Sequence, residues 1–506
     1  MQLIDLRPKL DHRSQAFFRF RRIGPDRTLI TSLEGNWLVL DDADFRAFAT
    51  GTVEEGTELH RALDERNFLR ATFDEAAARS AIAKRKAFLG YGPNLHIFVV
   101  TLRCNETCVY CHASRADMDA VDTDMSPETA EKAVDLVFQT TSPSVTIEFQ
   151  GGEPLVNFDV VKHVVEYAKH KNETAGKVLE FTMVSNLSLM DAEKLDFLLD
   201  HKVQICTSID GPKDLHDKQR KLPTFSSYDA ATEWIPKINQ AYVDRGLDPT
   251  LYHVEALLTT TRAALPYHRE IVDTYAALGC RALFLRPLDP FGFAGKTAKK
   301  VEYPRRAYLD FYARATDYIL ELNRQGTQMI ERYGAIFLTK ILRGEDPNFL
   351  DIRSPAGAGI GQLAYSYDGQ VYSCDEGRML AAQGDDTFRL GHVNESSYRD
   401  IVGHPTVRAM VIASNLDAQP DCVACTYNLY CGLQTTHNHK TQGSVFGRMR
   451  ESNICAVHKG IQDYLFNKLA DGEPHVLEAF ERWTTIRSRD HFLHEPEAGG
   501  EAAAAS

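Results

Sequence analysis

Short apolar runs alternate with amphipathic segments between His96 and about Leu288, and this alternation predicts parallel strands joined by helical crossovers. The runs are HIFVVTL, SVTIEF, LEFTMVS, VQICTSI, LYHVEALL and ALFLRPL. After the first run, Ser126 is a suitable helix cap, Pro127 suits the first turn, and the apolar residues that follow share one helical face. The six runs predict an α/β fold built on a partial (β/α)6 TIM-like barrel, whose active face is at the carboxyl ends of the strands.

Other patterns flank the barrel. Before it, the strand-like runs FRFRRI, TLITSL and NWLVL and two helical patterns predict a small winged-helix-like module. After it, two helices are expected over 303–343, and 350–460 is irregular, Gly-rich and dense in cysteine, as is typical of a segment held by metal rather than by a core. The predicted divisions are the module 1–75, a linker helix 76–94, the barrel 95–345, a cysteine-rich domain 346–460, a helical segment 461–490 and a disordered tail 491–506.

Composition narrows the possible partners and location. A chain of 506 residues with 43% hydrophobic and 25% charged residues can bury a large core and form two or three domains. It has no apolar run of membrane-spanning length, and MQLIDLRPKLDHR is charged where a signal peptide is apolar, so we expect a cytoplasmic protein without a membrane partner. The net charge of −13 argues against a nucleic-acid partner. In a reducing compartment, ten cysteines favour metal binding or redox chemistry.

Three of these cysteines follow the first predicted strand in TLRCNETCVYC, where Cys104, Cys108 and Cys111 have Cys-x3-Cys-x2-Cys spacing. Three thiolates on one loop can bind three irons of a four-iron cluster and leave the fourth iron open to a small molecule. A closed structural site would use four ligands. The alternative is a zinc ion, with His112 or a distant residue as its fourth ligand.

This triplet, with the aromatic Tyr110 before its last cysteine, resembles the cluster motif of the radical S-adenosylmethionine (SAM) superfamily. In that family the open iron chelates the amino and carboxylate groups of SAM, and reduction yields a 5′-deoxyadenosyl radical that takes a hydrogen from the substrate. The resemblance implies SAM and a 4Fe-4S cluster as cofactors, and an electron donor such as flavodoxin or ferredoxin. The protein itself orients the cofactor and the substrate and excludes water.

Further stretches match the family at predicted strand ends, and the resemblance gives them roles at the cofactor. GGEP follows SVTIEFQ, and its glycines allow close backbone approach to the methionine amine; Ser208 faces the cofactor, Arg220 grips its carboxylate and Asn186 is a candidate for the ribose edge. The alternatives are ordinary Gly-Gly-x-Pro and Asp-Gly-Pro turns and a solvated arginine. The full set of cofactor-binding candidates is Tyr110, Gly151, Gly152, Glu153, Asn186, Ser208, Asp210 and Arg220.

A second set of cysteines lies near the carboxyl end of the chain. Cys422, Cys425 and Cys431 have Cys-x2-Cys-x5-Cys spacing, and Cys455 follows 24 residues later. Four thiolates make a closed site, which suits a zinc ribbon as well as a cluster. The presence of the first triplet in the same chain favours iron.

This region resembles the SPASM domain of radical SAM peptide-modifying enzymes, in which seven cysteines hold two auxiliary clusters. The Gly-x4-Cys of that domain is present as Gly369 to Cys374. The upstream cysteine expected near 354–359 is missing, and the cysteine expected four residues after Cys431 is Thr435. The resemblance therefore implies a SPASM-like domain with one auxiliary 4Fe-4S cluster, bound by Cys422, Cys425, Cys431 and Cys455. Cys374 is then either a buried thiol or a ligand of another group.

Asp375 directly follows Cys374. In sulfatase-maturing relatives, an aspartate at this place takes a proton from the substrate residue, so the resemblance implies a catalytic role for Asp375, with Glu376 as the substitute. The alternative is a helix or turn cap in CDEGR.

The whole pattern over about 15–470 most resembles the His-Xaa-Ser system radical SAM maturase. The resemblance implies a ribosomally made precursor peptide as substrate, a paired second radical SAM protein, and an oxidative cross-link as product. The amino-terminal module could take a leader peptide as an added strand, and an excess of four positive charges over residues 1–30 could attract an acidic leader. Two alternatives stay open: a sulfatase-type maturase that oxidises a Cys or Ser of a protein, and a non-enzymatic zinc-binding scaffold or sensor.

Overall fold

A computed structural model describes residues 13–249 and 252–485 of the chain. Its first elements form an antiparallel sheet of order β1-β2-β3 followed by helices, around a small core that includes Ile30, Phe45, Phe48 and Phe68. Their spans agree with the sequence patterns, whereas the winged-helix-like assignment stays a prediction. The elements are β1 (Phe18–Gly24), β2 (Arg27–Ser32), β3 (Trp37–Leu40), α1 (Asp42–Thr50), α2 (Glu58–Glu65) and α3 (Glu75–Arg85).

The six predicted barrel strands are confirmed: they are parallel and adjacent in the order β11-β10-β8-β7-β6-β4. Their crossover helices bury one face, as in α4, where Ser126 accepts from Thr129 N at 3.2 Å and Ala130, Val134 and Val137 are fully buried. The elements are β4 (Leu95–Thr101), β5 (Thr107–Cys108), α4 (Pro127–Val137), β6 (Ser144–Gly151), α5 (Phe158–Ala175), β7 (Val178–Val184), α6 (Ala192–Asp200), β8 (Gln204–Ser208), α7 (Lys213–Gln219), β9 (Arg220–Lys221), α8 (Ser227–Asp244), β10 (Glu255–Thr259), α9 (His268–Ala277) and β11 (Ala282–Arg286).

The predicted helix pair over 303–343 is also present, and a short strand between the two helices extends the barrel sheet beyond β11. The second helix ends in a π-helical turn over Thr339–Arg343. The elements are α10 (Gly292–Lys296), α11 (Ala298–Val301), α12 (Arg305–Arg324), β12 (Ile330–Glu331) and α13 (Arg332–Leu338).

The prediction that 350–460 is irregular is wrong, whereas metal binding by the cysteines of this segment stays a prediction. A strand of this segment pairs in parallel with β4, with Leu363 opposite His96, and a hairpin follows, so that within the described residues the sheet reaches ten strands. Leu363, Tyr365 and Val371 are fully buried, so an apolar core holds the first part of the segment. The elements are β13 (Gln362–Tyr365), β14 (Gln370–Tyr372), α14 (Asp375–Ala381), β15 (Arg389–His392), α15 (Tyr398–Val402), α16 (Pro405–Ser414), α17 (Thr435–Gln442), α18 (Asn453–Asp471) and α19 (Pro474–Trp483).

Some expectations fall at the chain ends. The predicted tail over 491–506 lies outside the described residues, as do residues 1–12, which carry part of the predicted basic excess. None of the helices that the structure describes has both the length and the hydropathy that a membrane crossing needs.

Candidate active site

The loop that carries Cys104, Cys108 and Cys111 begins three residues after β4 and is held from two sides. The short strand β5 pairs with β9, which places Cys108 opposite Arg220, and the Val109 N–H donates to the Gln219 carbonyl at 2.8 Å. From the other side, Phe293 N–H donates to the Cys111 carbonyl at 2.7 Å. The three cysteines are thereby fixed at the carboxyl end of the sheet, where the sequence pattern predicts the active face.

The three thiols interact electrostatically. Burial raises the pKa of Cys104 and of Cys108 well above the usual thiol value, and the neighbouring thiols and the Glu106 carboxyl add to both shifts. Because a cysteine binds metal as a thiolate, metal binding at this loop would release protons from the thiols. Within the described residues, no group of three or more His, Cys, Asp or Glu side chains is placed to hold one metal ion. A four-iron cluster does not require such a group, because each thiolate binds a different iron.

Gly151 and Gly152 pack directly against the backbone that leads into the cysteine loop. A Cβ atom at Gly151 would lie 2.1 Å from the Thr101 carbonyl oxygen, and one at Gly152 would lie 2.2 Å from the Arg103 carbonyl oxygen. The amide of Gly152 donates to Thr101 O at 2.8 Å, and that of Glu153 donates to Arg103 O at 2.8 Å. The glycines therefore allow two loops of the site to touch, which is a structural reason for GGE at this position.

The Glu153 carboxyl is buried and accepts hydrogen bonds from the end of the next strand. Its oxygens accept from Ser185 Oγ at 2.7 Å, Asn186 N at 2.7 Å and Leu155 N at 3.1 Å. Burial raises the pKa of Glu153 to about 7, although these hydrogen bonds act to lower it. The Asn186 amide donates to Asn105 Oδ1 on the cysteine loop at 3.1 Å. Both predicted cofactor-binding residues thus lie beside this loop and help to fix it.

Tyr110, Asp210 and Arg220 form one buried network behind the cysteine loop. Tyr110 Oη donates to Asp210 at 2.7 Å, and the Arg220 guanidinium lies 5.5 Å from the Tyr110 ring centre. Arg220 Nε lies 3.4 Å from Asp210 Oδ2, and its Nη1 lies 3.5 Å from Glu106 Oε2. The Arg220 side chain is 12% exposed, so two carboxylates of the chain already face this guanidinium. Its predicted grip on a SAM carboxylate stays a prediction.

Polar atoms without partners occur at the same rim. Within the described residues, the buried His112 Nε2 and Arg115 Nε atoms of the loop region have no hydrogen-bond partner, nor have Thr207 Oγ1 beside Ser208 and Thr260 Oγ1 just after β10. Buried polar groups are normally paired, so unpaired donors beside a cysteine loop fit a site that binds a polar ligand. Ser208 itself ends β8 and is half-buried at this rim.

Asp375 lies close to the cysteine loop through an ion pair. It is the first residue of α14, and its Oδ1 accepts from Arg378 Nε at 2.8 Å, with the two side chains 11% and 4% exposed. Arg378 Nη1 donates in turn to the Ala113 carbonyl at 3.0 Å, two residues after Cys111. The adjacent Cys374 is buried.

Further acidic groups surround Asp375. Burial raises the pKa of Glu376 to about 8, and the neighbouring Asp351 and Asp375 carboxyls add to this shift. Burial also raises the pKa of Asp351, against the effect of Arg286 at the end of β11. Arg286 and Asp351 line a cavity with an empty volume of about 320 Å³. The site therefore places the Asp375 carboxyl beside Glu376 and Asp351, whose pKa values are raised by burial.

The second set of cysteines surrounds one cavity with an empty volume of about 460 Å³. The buried side chains of Leu416, Leu433 and Met449 pack against its cysteines. Burial raises the pKa of Cys422 to about 12 and that of Cys431 further, and in both cases the neighbouring thiols add to the shift. The predicted ligands are thereby brought together, and all of them line the cavity: Cys422, Cys425, Cys431 and Cys455.

Several site residues carry no sequence motif. Glu106 lies between two cysteines of the loop and is 1% exposed, and a charged residue inside CNETC is the signal that could have identified it. Arg286 ends an apolar strand, and a charge at the carboxyl end of a barrel strand is a comparable signal. Asp351 and Arg378 depend on tertiary contacts that the sequence alone does not show.

The predicted basic surface of the amino-terminal module is partly neutralised. Arg21 pairs with Asp463 at 2.8 Å, Arg22 with Asp42, and Arg27 with Asp471 at 2.7 Å. These pairs leave less free charge for an acidic leader peptide than the sequence suggests.

Comparison with known proteins agrees with this geometry. Residues 98–245 match the family model of the radical SAM superfamily. The chain is 24% identical over 379 residues to a cysteine-type anaerobic sulfatase-maturating enzyme of Clostridium perfringens, covering 72% of this chain and 94% of the relative. Residues 98–245 therefore form a radical SAM domain. A domain of this superfamily implies SAM and a 4Fe-4S cluster.

Solved structures show the same fold. Native anSMEcpe with bound AdoMet aligns with a TM-score of 0.61 and 19% identity, covering 77% of this chain and 99% of that one. Streptococcus suis SuiB bound to the precursor peptide SuiA aligns with a TM-score of 0.51 and 12% identity, covering 88% and 99%.

Proposed function

We propose that this protein is a radical SAM enzyme with two 4Fe-4S clusters that modifies a ribosomally made precursor peptide by an oxidative cross-link. The observation that carries the proposal is the gathering of four cysteines around a cavity separate from the three-cysteine loop. An enzyme that only cleaves SAM needs one cluster, whereas an oxidation also needs an acceptor for an electron. The fold shared with SuiB, a protein solved with its precursor peptide, supports the peptide as substrate.

The residues of the chain have distinct roles in this proposal. Cys104, Cys108 and Cys111 bind one cluster, and SAM bound there supplies a 5′-deoxyadenosyl radical on reduction. Tyr110 and Arg220 brace the loop from behind, as their contacts with Asp210 indicate. The auxiliary cluster is bound by the second set, which consists of Cys422, Cys425, Cys431 and Cys455.

Asp375 accepts the proton that the oxidised substrate carbon loses. Its ion pair with Arg378 keeps it beside the cysteine loop, where the reacting carbon must lie. Glu376 is the weaker candidate, because its pKa of about 8 keeps it protonated at neutral pH, and a protonated carboxyl cannot take another proton.

The test is coexpression with a small peptide encoded beside the enzyme, followed by mass spectrometry of the peptide. A cross-link removes two hydrogen atoms from the peptide mass and joins fragments that otherwise separate. Asp375→Asn should abolish the product, whereas Glu376→Gln should retain most of it. An unchanged peptide with wild-type enzyme, in cells that supply iron and SAM, would contradict the proposal. Added flavodoxin or ferredoxin and a coexpressed second radical SAM protein test the other expected partners.

A sulfatase-type maturase is the second candidate, favoured by the similarity to a sulfatase-maturating enzyme over 72% of this chain. It predicts oxidation of a single Cys or Ser in a sulfatase-derived peptide, without a cross-link. Incubating the reduced enzyme with both peptides separates the two candidates directly. The non-enzymatic zinc scaffold predicts a colourless protein with two zinc ions and no SAM cleavage, which metal analysis would show.

A further inference from the structure

Three cationic side chains from distant parts of the chain approach the cavity of the second cysteine set. Arg19 comes from β1, Lys340 from the π-helical turn after α13, and Lys459 from α18. More than 300 residues separate Arg19 from Lys340, and more than 100 separate Lys340 from Lys459. Only the tertiary fold therefore brings them near this cavity.

Lys340 is buried against Cys431. The residue is 7% exposed. Its Nζ donates to the Cys431 carbonyl at 3.1 Å and to the Ile352 carbonyl at 2.6 Å. The ammonium group thus lies at the backbone of one cysteine of the set.

Arg19 and Lys459 occupy comparable positions at the other cysteines. Arg19 is 5% exposed and donates from Nε to the Val423 carbonyl at 2.8 Å, within the turn that joins Cys422 and Cys425. Lys459 lines the cavity itself and follows Cys455 by four residues on α18, so both side chains are on one helical face.

Within the described residues, none of these three cations forms an ion pair with a carboxylate. Asp346 and Asp417 lie near enough to act on Lys340 and Arg19 through space, and Asp421 beside Cys422 is paired with Arg450 at 2.9 Å. Arg19 and Lys340 are buried cations whose charge no ion-paired carboxylate neutralises, and this is costly in a folded protein. The cost is offset if the cavity holds a group of net negative charge.

The first cysteine loop has different surroundings. The carboxyl groups of Glu153 and Glu106 act on Cys104, and the Arg220 guanidinium that acts on Cys108 already faces Asp210 and Glu106. At the first set, two carboxylates and Arg220 act on the thiols, whereas at the second set Arg19, Lys340 and Lys459 act together with the carboxylate of Asp421.

We infer that Arg19, Lys340 and Lys459 are positioning residues that raise the reduction potential of the auxiliary cluster above that of the SAM-binding cluster. Reduction adds a negative charge to a centre that four thiolates already make negative, so nearby cations stabilise the reduced form and nearby carboxylates oppose it. The inference rests on the proposed function, because it requires a cluster at the second cysteine set. The three cations then make the auxiliary cluster the electron acceptor.

The test measures the midpoint potential of the auxiliary cluster by a redox titration monitored by electron paramagnetic resonance. A full-length variant with Cys104, Cys108 and Cys111 replaced by Ala isolates the auxiliary signal. In this background Lys340→Met, Lys459→Met and Arg19→Met should each shift the potential downward. Lys459→Arg keeps the charge and should leave the potential near its starting value. Lys468→Met is the matched control, since Lys468 lies on the same helix but pairs with Asp317 at 2.8 Å.

The outcomes separate the two claims. A cluster that is present with the same potential in Lys340→Met, Lys459→Met and the control would overturn the tuning role and leave the proposed function standing. A triple-cysteine variant without iron would overturn the auxiliary cluster and with it the tuning. If Lys340→Met does not fold, the partly exposed Lys459 still decides the question through its Met and Arg variants.

Discussion

Cys108 and Arg220 face each other across a two-residue antiparallel ladder, so the middle cysteine of the cluster loop is paired through its backbone with the arginine that begins β9. The arginine side chain continues into the buried network with Tyr110, Asp210 and Glu106. Arg220 thus connects the backbone of the cysteine loop with the buried carboxyl groups of Asp210 and Glu106.

Arg220→Met should therefore damage both stability and SAM binding. Removing the cation leaves Asp210 and Glu106 buried without a positive partner, and breaking a buried pair in this way costs roughly 3–5 kcal/mol. Thermal unfolding and equilibrium binding of SAM to the reconstituted protein are the measurements. The control is Arg324→Met, where an exposed surface pair with Glu321 is lost and little change is expected. Equal effects of the two substitutions would contradict the buried network.

Gly152→Ala should disturb the cluster loop without touching a cysteine. Its Cβ atom would lie 2.2 Å from the Arg103 carbonyl oxygen, and because a backbone atom must move, we expect destabilisation of about 1–3 kcal/mol and a lower iron content. Gly90→Ala, where a Cβ atom meets nothing within 4 Å, is the matched control. Iron analysis and thermal unfolding of both variants after identical reconstitution provide the comparison. Normal iron and stability in Gly152→Ala would show that the two loops do not need this contact.

The extent to which sequence predicts this protein differs between its parts. The six barrel strands could be predicted because each is a buried apolar run of strand length, and both cysteine sets because ligand spacing is local. The sheet extension by β13 could not, since it depends on pairing with β4 more than 250 residues earlier. An isolated charge such as Lys340 has no periodic pattern, and only its burial in the fold distinguishes it from a surface residue.

The auxiliary site makes a prediction about iron stoichiometry. Cys455→Ala should lose about four irons and keep the ability to cleave SAM, because Cys455 lines the second cysteine cavity and is not part of the three-cysteine loop. Thr435→Ala should lose none, since Thr435 begins α17 and does not line that cavity. Iron and sulfide analysis of anaerobically purified protein measures both. Equal iron losses in the two variants would mean that the ligand set is assigned wrongly.

Glu376 should make stability depend on pH. Its pKa rises from 4.5 to about 8 on folding, so the folded protein holds a proton that the unfolded chain releases, and the contribution of Glu376 to stability falls as pH rises from about 4.5 to 8. Glu376→Gln removes this dependence, and its stability relative to wild type should therefore increase over that range. Thermal midpoints of cluster-free protein at pH 5 and pH 8 test the sign, with the exposed Glu395→Gln as control. A constant difference between variant and wild type would contradict the raised pKa.

The central claim is that the Cys104, Cys108 and Cys111 loop leaves one iron free to bind SAM and cleave it. The direct measurement is chromatographic detection of 5′-deoxyadenosine after the anaerobically reconstituted protein is mixed with SAM and a strong reductant. Wild type and Cys455→Ala should both produce it, whereas Cys104→Ala should not. No 5′-deoxyadenosine from a wild-type protein that contains its full complement of iron, or undiminished production by Cys104→Ala, would contradict the account.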